Sequence, residues 1–268
     1  MRRERLFLSC MDAEAPALAR QEGLGLELTA FSYAPNLEDA AQLAAAGFAW
    51  SSRQIVADVG TDHAMLPVYM VQHGLASSAL ALDVRKGPLE RARRHVQEAG
   101  LTDAITCRLS DGFSAVGKGE ADVYVICGMG GKLIQKILSA GKDRLTDENA
   151  IVAGPQLDVP DFRAFVMREG WHIASERMVL ENGKFYTLML LKPGQERGGA
   201  FSDVELCYGR QLLTRRDPVL LKALAREKKQ VEKIRGQLEG KESEAAARRL
   251  SQLAVQEKLL DEAFAYYR

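Results

Sequence analysis

Gly60, Thr61, Asp62 and His63 follow five residues of strand character, Ile55 to Val59, and lead into a helix that Pro67 opens. A strand, a tight glycine turn and a helix N-terminus build the nucleotide-binding corner of an open α/β sheet. A dinucleotide fingerprint requires small residues where the backbone closes on a pyrophosphate. Here Asp62 and Met65 stand at the second and third glycine positions. A carboxylate about 4 Å from a phosphate repels it by roughly 4 kcal/mol at an effective dielectric near 20. The turn therefore argues against NAD and for a ligand with a cationic amino-acid end and no phosphate, a description that S-adenosylmethionine meets.

Asp83 ends the next strand, about twenty residues beyond Gly60, where an acid accepts both ribose hydroxyls of a nucleoside. Its competing reading is a helix cap ahead of Pro88. Asp111 and Gly112 follow a third strand, where a methyltransferase places an acid or amide against adenine; an ordinary Asp-Gly turn is the alternative. A fourth strand ends in Cys127-Gly128-Met129-Gly130-Gly131. Three glycines in four residues let the backbone approach a ligand closely and leave room for a flat ring beside a methyl donor. No His or Cys accompanies His63 at ligand spacing, so no metal is expected, and His63 is read as packing or hydrogen-bonding within the turn. His73, His95 and His172 are given structural or surface roles, and Tyr186, at an edge hairpin, stacks on a base or packs, with packing favoured.

The elements that must position these residues are regular from Gln54 onward. Strands are expected at Ile55 to Val59, Ala79 to Leu82, Ile105 to Leu109, Val123 to Cys127 and Ala150 to Ala153. Helices are expected at Pro67 to His73, Pro88 to Ala99, Lys132 to Ser139 and Pro160 to Glu169, with proline at first turns and glycine just past ends. This alternation predicts an α/β fold with a mostly parallel sheet. His172 to Leu180 and Phe185 to Leu191, joined through Asn182-Gly183, predict an antiparallel hairpin at the sheet edge. Before Gln54 the pattern is weak: a short helix over Asp12 to Gln21, a strand over Leu24 to Tyr33 and a helix over Leu37 to Ala46 are the readings.

The stretch PGQERGG after Lys192 reads as a linker over 193–217. From Pro218, Leu220, Leu224, Val231, Ile234 and Leu238, then Leu250, Leu253 and Leu260, recur at helical spacing and predict two antiparallel amphipathic helices, joined near Gly236, Gly240 and Lys241. The pair serves equally as a helical hairpin on the body or as a dimerising coiled coil. Residues Arg210 to Arg268 hold 14 Lys/Arg against 9 Asp/Glu in a chain of net charge zero, so the extension is basic and the body acidic. Neutrality overall gives no bulk attraction to nucleic acid; any such partner must meet a local basic surface.

The 268 residues, 47% hydrophobic and 27% charged, suit one substantial core with an appendage. The cysteines, Cys10, Cys107, Cys127 and Cys207, are too scattered for a disulfide framework, and the apolar run in MRRERLFLSC is too short for an export signal. A reduced, cytoplasmic protein without a membrane span is expected.

With DVGTDHAMLP, ALDVRKGPLERA, LSDG, ICGMGG and ENGKFYTL in this order, and CYGRQLLTRRDPVLLKAL beyond them, the chain resembles the bacterial TrmK family of tRNA (adenine(22)-N(1))-methyltransferases. The resemblance implies a class I S-adenosylmethionine-dependent, Rossmann-like domain (51–192) with a helical, coiled-coil-like extension (218–268). By position it makes Gly60, Thr61, Asp62 and His63 the donor motif, Asp83 the ribose acid, Asp111 and Gly112 the adenine contacts, and Gly128, Met129, Gly130 and Gly131 the loop by the reacting methyl. It implies a short helix just before the first strand, which residues 1–50 match poorly as sequence. Asp62 is the candidate acid at the target base, or else holds the donor. Arg215, Arg216, Lys222 and Arg226 are candidate RNA contacts, with Lys228, Lys229 and Lys233 in the same stretch. The expected partner is tRNA, with a monomer or weak homodimer. The alternatives are a methyltransferase of a small molecule or protein, and a non-catalytic RNA-binding protein on the same fold.

Overall fold

The computed structural model of the chain describes residues 37–48, 53–196 and 198–268. Five strands are parallel: β1 (Ile55–Val59), β2 (Ser78–Asp83), β3 (Ile105–Leu109), β4 (Val123–Met129) and β5 (Ala150–Pro155). β6 (Trp171–Glu181) and β7 (Lys184–Pro193) join antiparallel, giving the order β3-β2-β1-β4-β5-β7-β6. The inner strands are apolar along their length, without alternation, because helices cover both faces. α1 (Leu37–Gly47), α2 (Met65–Gln72) and α3 (Lys86–Glu98) lie on one face, where Leu43, Met70 and Val96 join a core with Val56, Val125 and Val152. α4 (Gly131–Ala140) and α5 (Val159–Arg168) lie on the other, where Ile134 and Phe162 join Tyr124, Ile126 and Ile151.

The chain runs from β1 to β2 and β3 on one side and returns to β4 on the other. That reversal leaves a crevice at the carboxyl ends of β1 and β4, and the Gly60 turn and the Gly128 loop both open onto it. The β6–β7 turn has φ 49 at Asn182 and φ 75 at Gly183, the two left-handed residues of a tight hairpin. Met189 pairs with Ala153, and β7 begins at Lys184 while β5 ends at Pro155. The turn consequently stands about three residues, or about 10 Å, beyond β5 on the crevice side.

α1 sits just before β1, where the resemblance implies a short helix, and Arg177 Nη1 on β6 binds its Asp39 Oδ1 at 2.8 Å. The expectations for Asp12 to Gln21 and Leu24 to Tyr33 fall outside the described residues.

The segment 193–217 is not a plain linker. It carries α6 (Asp203–Tyr208) and α7 (Arg210–Thr214). Ser202 and Glu205 cap α6 reciprocally, and Leu212 and Leu213 are fully buried in a third core with Leu224 and Leu253. Burial of these leucines orders a stretch whose glycines suggested a linker. α8 (Pro218–Leu238) and α9 (Glu244–Ala265) then form a hairpin closed within the chain. Leu220, Leu224 and Val231 share its core with Leu253 and Leu260; Tyr267 bonds Asp217 O at one end and Arg235 pairs with Glu257 at the other. Gly236 lies inside α8, and the join is 239–243.

A buried ion pair joins body and extension. Arg163 of α5 and Glu176 of β6 are each 1% exposed. Arg163 donates from Nε (2.9 Å) and Nη2 (2.6 Å) to Glu176 Oε1, and from Nη1 to the carbonyls of Leu206 and Cys207 in α6. Burial pushes the Glu176 carboxyl up, and Arg163 offsets this only in part. Gly209, at φ 88, lies so close that a Cβ there would overlap Glu176 Oε2. The glycine of CYGRQLL is thereby explained by backbone conformation and by contact.

Candidate donor and base site

Gly60 leaves β1 at φ 82, and the Gly60 and Thr61 N–H groups donate to Leu82 O at 2.8 and 2.9 Å. The turn is thus pinned over the end of β2. Asp62 (φ 48) and Ala64 (φ 54) are left-handed as well, each at a cost of roughly 1–2 kcal/mol for a residue with a Cβ. Such strain gathers at ligand sites because the surrounding contacts overdetermine the backbone. Asp62 is held by Arg91 of α3, Nη2 to Oδ1 at 2.6 Å, with His63 Nε2 at 3.7 Å from its Oδ2. His95 Nδ1 of α3 donates to the backbone carbonyl of His63 at 2.8 Å and ties the turn to that helix. Asp62 is thus a part-exposed acid paired with Arg91.

A second acid near the turn is Asp58, a residue not singled out from sequence. Asp58 is 8% exposed and Asp83 4%, on adjacent strands and the same face of the sheet. Burial raises the Asp58 carboxyl to about 6; the nearby Thr61 hydroxyl lowers it and the Asp83 charge adds to the rise. Asp83 accepts the Arg85 N–H on Oδ1 at 2.8 Å, and among the described residues no donor reaches its Oδ2. It is not the cap of α3, whose N-cap is Arg85 with no side-chain bond. The signal for Asp58 was present in DVG, but its burial beside Asp83 depends on the β1–β2 register.

Asp111 is exposed, and among the described residues no donor reaches its carboxylate. Its N–H donates to Ser114 Oγ at 3.1 Å, and Gly112 follows at φ 55 with Ile137 Cγ2 3.0 Å from an added Cβ. It is a turn, and its acid faces water at the crevice edge.

β4 breaks register between Cys127 and Met129 as it pairs with β5. Gly128 has φ 76 and open space where a Cβ would lie, and a Cβ on Gly60 would overlap Met129 Cε. The β1 turn and the β4 loop therefore meet across the crevice through Met129. Gly130 caps α4, and Gly131 N donates to Leu157 O at 2.9 Å. Two buried acids, a glycine turn and an open glycine loop can hold a cationic, phosphate-free nucleoside next to a flat acceptor.

A family model described as tRNA (adenine(22)-N(1))-methyltransferase, TrmK, matches residues 56–260. The chain belongs to the TrmK family. A Bacillus subtilis (strain 168) tRNA (adenine(22)-N(1))-methyltransferase is 34% identical over 78% of this chain and 89% of its own length. The crystal structure of the B. subtilis M1A22 tRNA methyltransferase TrmK superposes with a TM-score of 0.73 at 31% identity, covering 86% of this chain and 97% of that one. A Streptococcus pneumoniae candidate tRNA (m1A22) methyltransferase, solved in complex with S-adenosyl-L-methionine, gives 0.71 at 29%, over 85% and 97% of the two chains.

The TrmK fold match extends into the basic extension, where the candidate RNA contacts separate into two groups. Arg215 Nη2 bonds Glu176 O, and lies 3.2 Å from Asp217 Oδ2; Arg216 Nη2 donates to Arg268 O at 2.9 Å. Arg226 Nη1 donates to Gly183 O, and its guanidinium lies 6.0 Å from the Phe185 ring centre. Arg215 and Arg226 dock the extension on the β6–β7 hairpin. Lys228 lies 5.6 Å from the Phe264 ring centre. Lys222, Lys229 and Lys233 are exposed with no partner among the described residues. Because Arg226 meets the hairpin tip, the second half of α8 stands on the crevice side of the sheet. Tyr186 is half-buried in β7.

Proposed function

We infer that the chain transfers the methyl group of S-adenosylmethionine to N1 of adenine 22 in tRNA. The observation that carries this reading is the pair of buried carboxylates, Asp58 and Asp83, at the switch point of a chain matched by the TrmK model over 56–260. S-adenosylmethionine supplies a sulfonium methyl: the adenine N1 lone pair forms the new C–N bond as the C–S pair returns to sulfur. The residues present fit that donor. Asp83, with Oδ2 open, takes the ribose hydroxyls, Asp58 faces the ammonium group, and Asp111 reads the donor's adenine. The Gly128–Gly130 backbone lets the acceptor ring approach the methyl, so positioning supplies most of the rate and no strong base is required. Asp62, tied to Arg91, holds the turn in place and serves as a positioning residue.

We assign the donor and base site to the body, 51–192, and tRNA binding to the extension, 218–268, with the helices before it. Among the described residues no helix is long and apolar enough to cross a membrane and no cluster of potential metal ligands occurs. We place the enzyme in the cytoplasm with tRNA. The described extension exposes only Leu221 and Val255 as large apolar side chains, which supports a monomer or weak homodimer. Incubation with labelled donor and total tRNA, followed by mapping of the modified base, tests the reading; label absent from adenine N1 overturns it.

Donor affinity is expected to fall about tenfold between pH 7 and pH 5, because Asp58, at about 6, takes a proton over that range and no longer attracts an ammonium group. Calorimetry on Asp58→Asn should give weaker binding with that pH dependence flattened. A wild-type affinity constant from pH 7 to pH 5 excludes Asp58 from the site.

Reversal of Lys222, Lys229 and Lys233 to glutamate is expected to raise KM for tRNA about tenfold or more while leaving donor affinity unchanged. The dependence of log affinity on log salt should flatten by about 0.7–0.9 for each phosphate that the variant no longer engages. Equal tRNA affinities and equal salt slopes would mean that the extension does not hold RNA. Arg215 and Arg226 are unsuitable for this test, since they dock the extension.

A further inference from the structure

The loop after β5 is zipped along the glycine loop. Gln156 N donates to Met129 O at 2.9 Å, continuing the β4–β5 ladder, and Gly131 N donates to Leu157 O at 2.9 Å. A Cβ on Gly131 would stand 2.7 Å from Leu157 O, and one on Gly130 would meet Leu157 Cβ at 4.0 Å. Glycine at 131 is therefore what permits this approach. Two side chains leave the zipped segment for solvent. Gln156 is exposed, and its amide has no partner among the described residues. Leu157 is 50% exposed, and Leu133, on the first turn of α4, is 49% exposed. Large apolar side chains left in water around a glycine loop are unusual in a body whose other leucines are mostly buried.

The crevice is divided by strand order. Asp58, Asp83 and Asp111 lie at the ends of β1, β2 and β3, whereas Gln156 and Leu157 lie at the end of β5, on the far side of the Gly128 loop. A donor held by the acids leaves the β5 side for the acceptor.

We propose that Gln156 reads the Hoogsteen edge of the target adenine, with Leu157 packed on the face of the ring. The proposal rests on the reading of the site as an adenine-N1 methyltransferase. N1 must face the methyl group, so the edge left for recognition is N7 and the outer hydrogen of the 6-amino group. A primary amide matches that edge: its oxygen accepts from the amino group while its NH2 donates to N7, the pairing by which Gln selects adenine. Guanine offers two acceptors, O6 and N7, and leaves the amide oxygen opposed to a lone pair. Leucine supplies a flat apolar contact without a competing polar group.

The test uses tRNA carrying either adenine or 7-deazaadenine at the target position, with wild type and Gln156→Ala. Removing N7 also changes the basicity of N1, but that change is common to both enzymes and cancels in a cycle. The ratio of kcat/KM on 7-deazaadenine to kcat/KM on adenine is expected to be about tenfold lower for wild type than for the variant, the loss of one half of a bidentate pairing. Gln156→Ala should also lose about tenfold on adenine, with donor affinity unchanged by calorimetry. Equal ratios for the two enzymes, or a variant as active as wild type on adenine, overturn the role of Gln156. A wild type that binds the donor but methylates neither tRNA overturns instead the functional reading beneath it.

Discussion

Replacing Arg163 with leucine is expected to destabilise the protein by about 3–5 kcal/mol at pH 7, the range for breaking a buried ion pair from one side. The physical origin can be divided. Without the guanidinium, buried Glu176 keeps only the part-exposed Arg215 as a nearby cation and takes up a proton. The ordinary value for a glutamate is 4.5, so protonating it at pH 7 costs about 3 kcal/mol, and the carbonyls of Leu206 and Cys207 each lose a donor worth about 1 kcal/mol. The sign of the pH dependence follows. In the variant the folded carboxyl titrates far above the unfolded one, so the folded state binds the extra proton and the penalty shrinks as pH falls toward 4.5. Between pH 7 and pH 5 the difference from wild type should narrow, by less than about 3 kcal/mol because burial already holds the wild-type carboxyl above its ordinary value. Urea unfolding at the two pH values measures this. The double variant Arg163→Leu/Glu176→Leu should recover the protonation part and not the carbonyl part; a double variant no more stable than the single one would show that charge is not the cause.

Gly60→Val is expected to weaken donor binding at least about 100-fold, equivalent to about 3 kcal/mol, with the fold retained. At φ 82 a β-branched residue is strained by about 1–3 kcal/mol, which a domain of this size tolerates. Its side chain projects toward Met129, into the crevice between the β1 turn and the β4 loop. Circular dichroism should report an unchanged fold, and calorimetry the weakened donor binding. A valine variant that binds the donor normally would make this turn structural only.

The strand–turn–helix units were legible because each is written in local chemistry. Ile55 to Val59 and Ile105 to Leu109 match the observed strands, and Asn182-Gly183 makes the hairpin turn that two consecutive left-handed residues require. Asp83, Gly60 and the Gly128 loop could be placed for the same reason: each ends a strand, and all strand ends of a parallel sheet share one edge. The helices within 193–217 are not legible in the sequence because composition reports glycine but not the burial of Leu212 and Leu213, which comes from helices that follow in the chain.

Sequence by itself determined the alternating α/β order and the glycine corner at Gly60, with an acid in the turn. Only the tertiary structure decided the surroundings of each acid there. Asp62 is paired with Arg91, 29 residues away, while Asp58 is buried next to Asp83 because β1 and β2 pair in that register. It likewise decided which cations of the extension have protein partners: Arg215 and Arg226 bond the carbonyls of Glu176 and Gly183, and Lys222, Lys229 and Lys233 are exposed without partners among the described residues. A residue's type fixes what bonds it can make. Strand register and helix docking decide whether a distant partner, or only water, is there to make them.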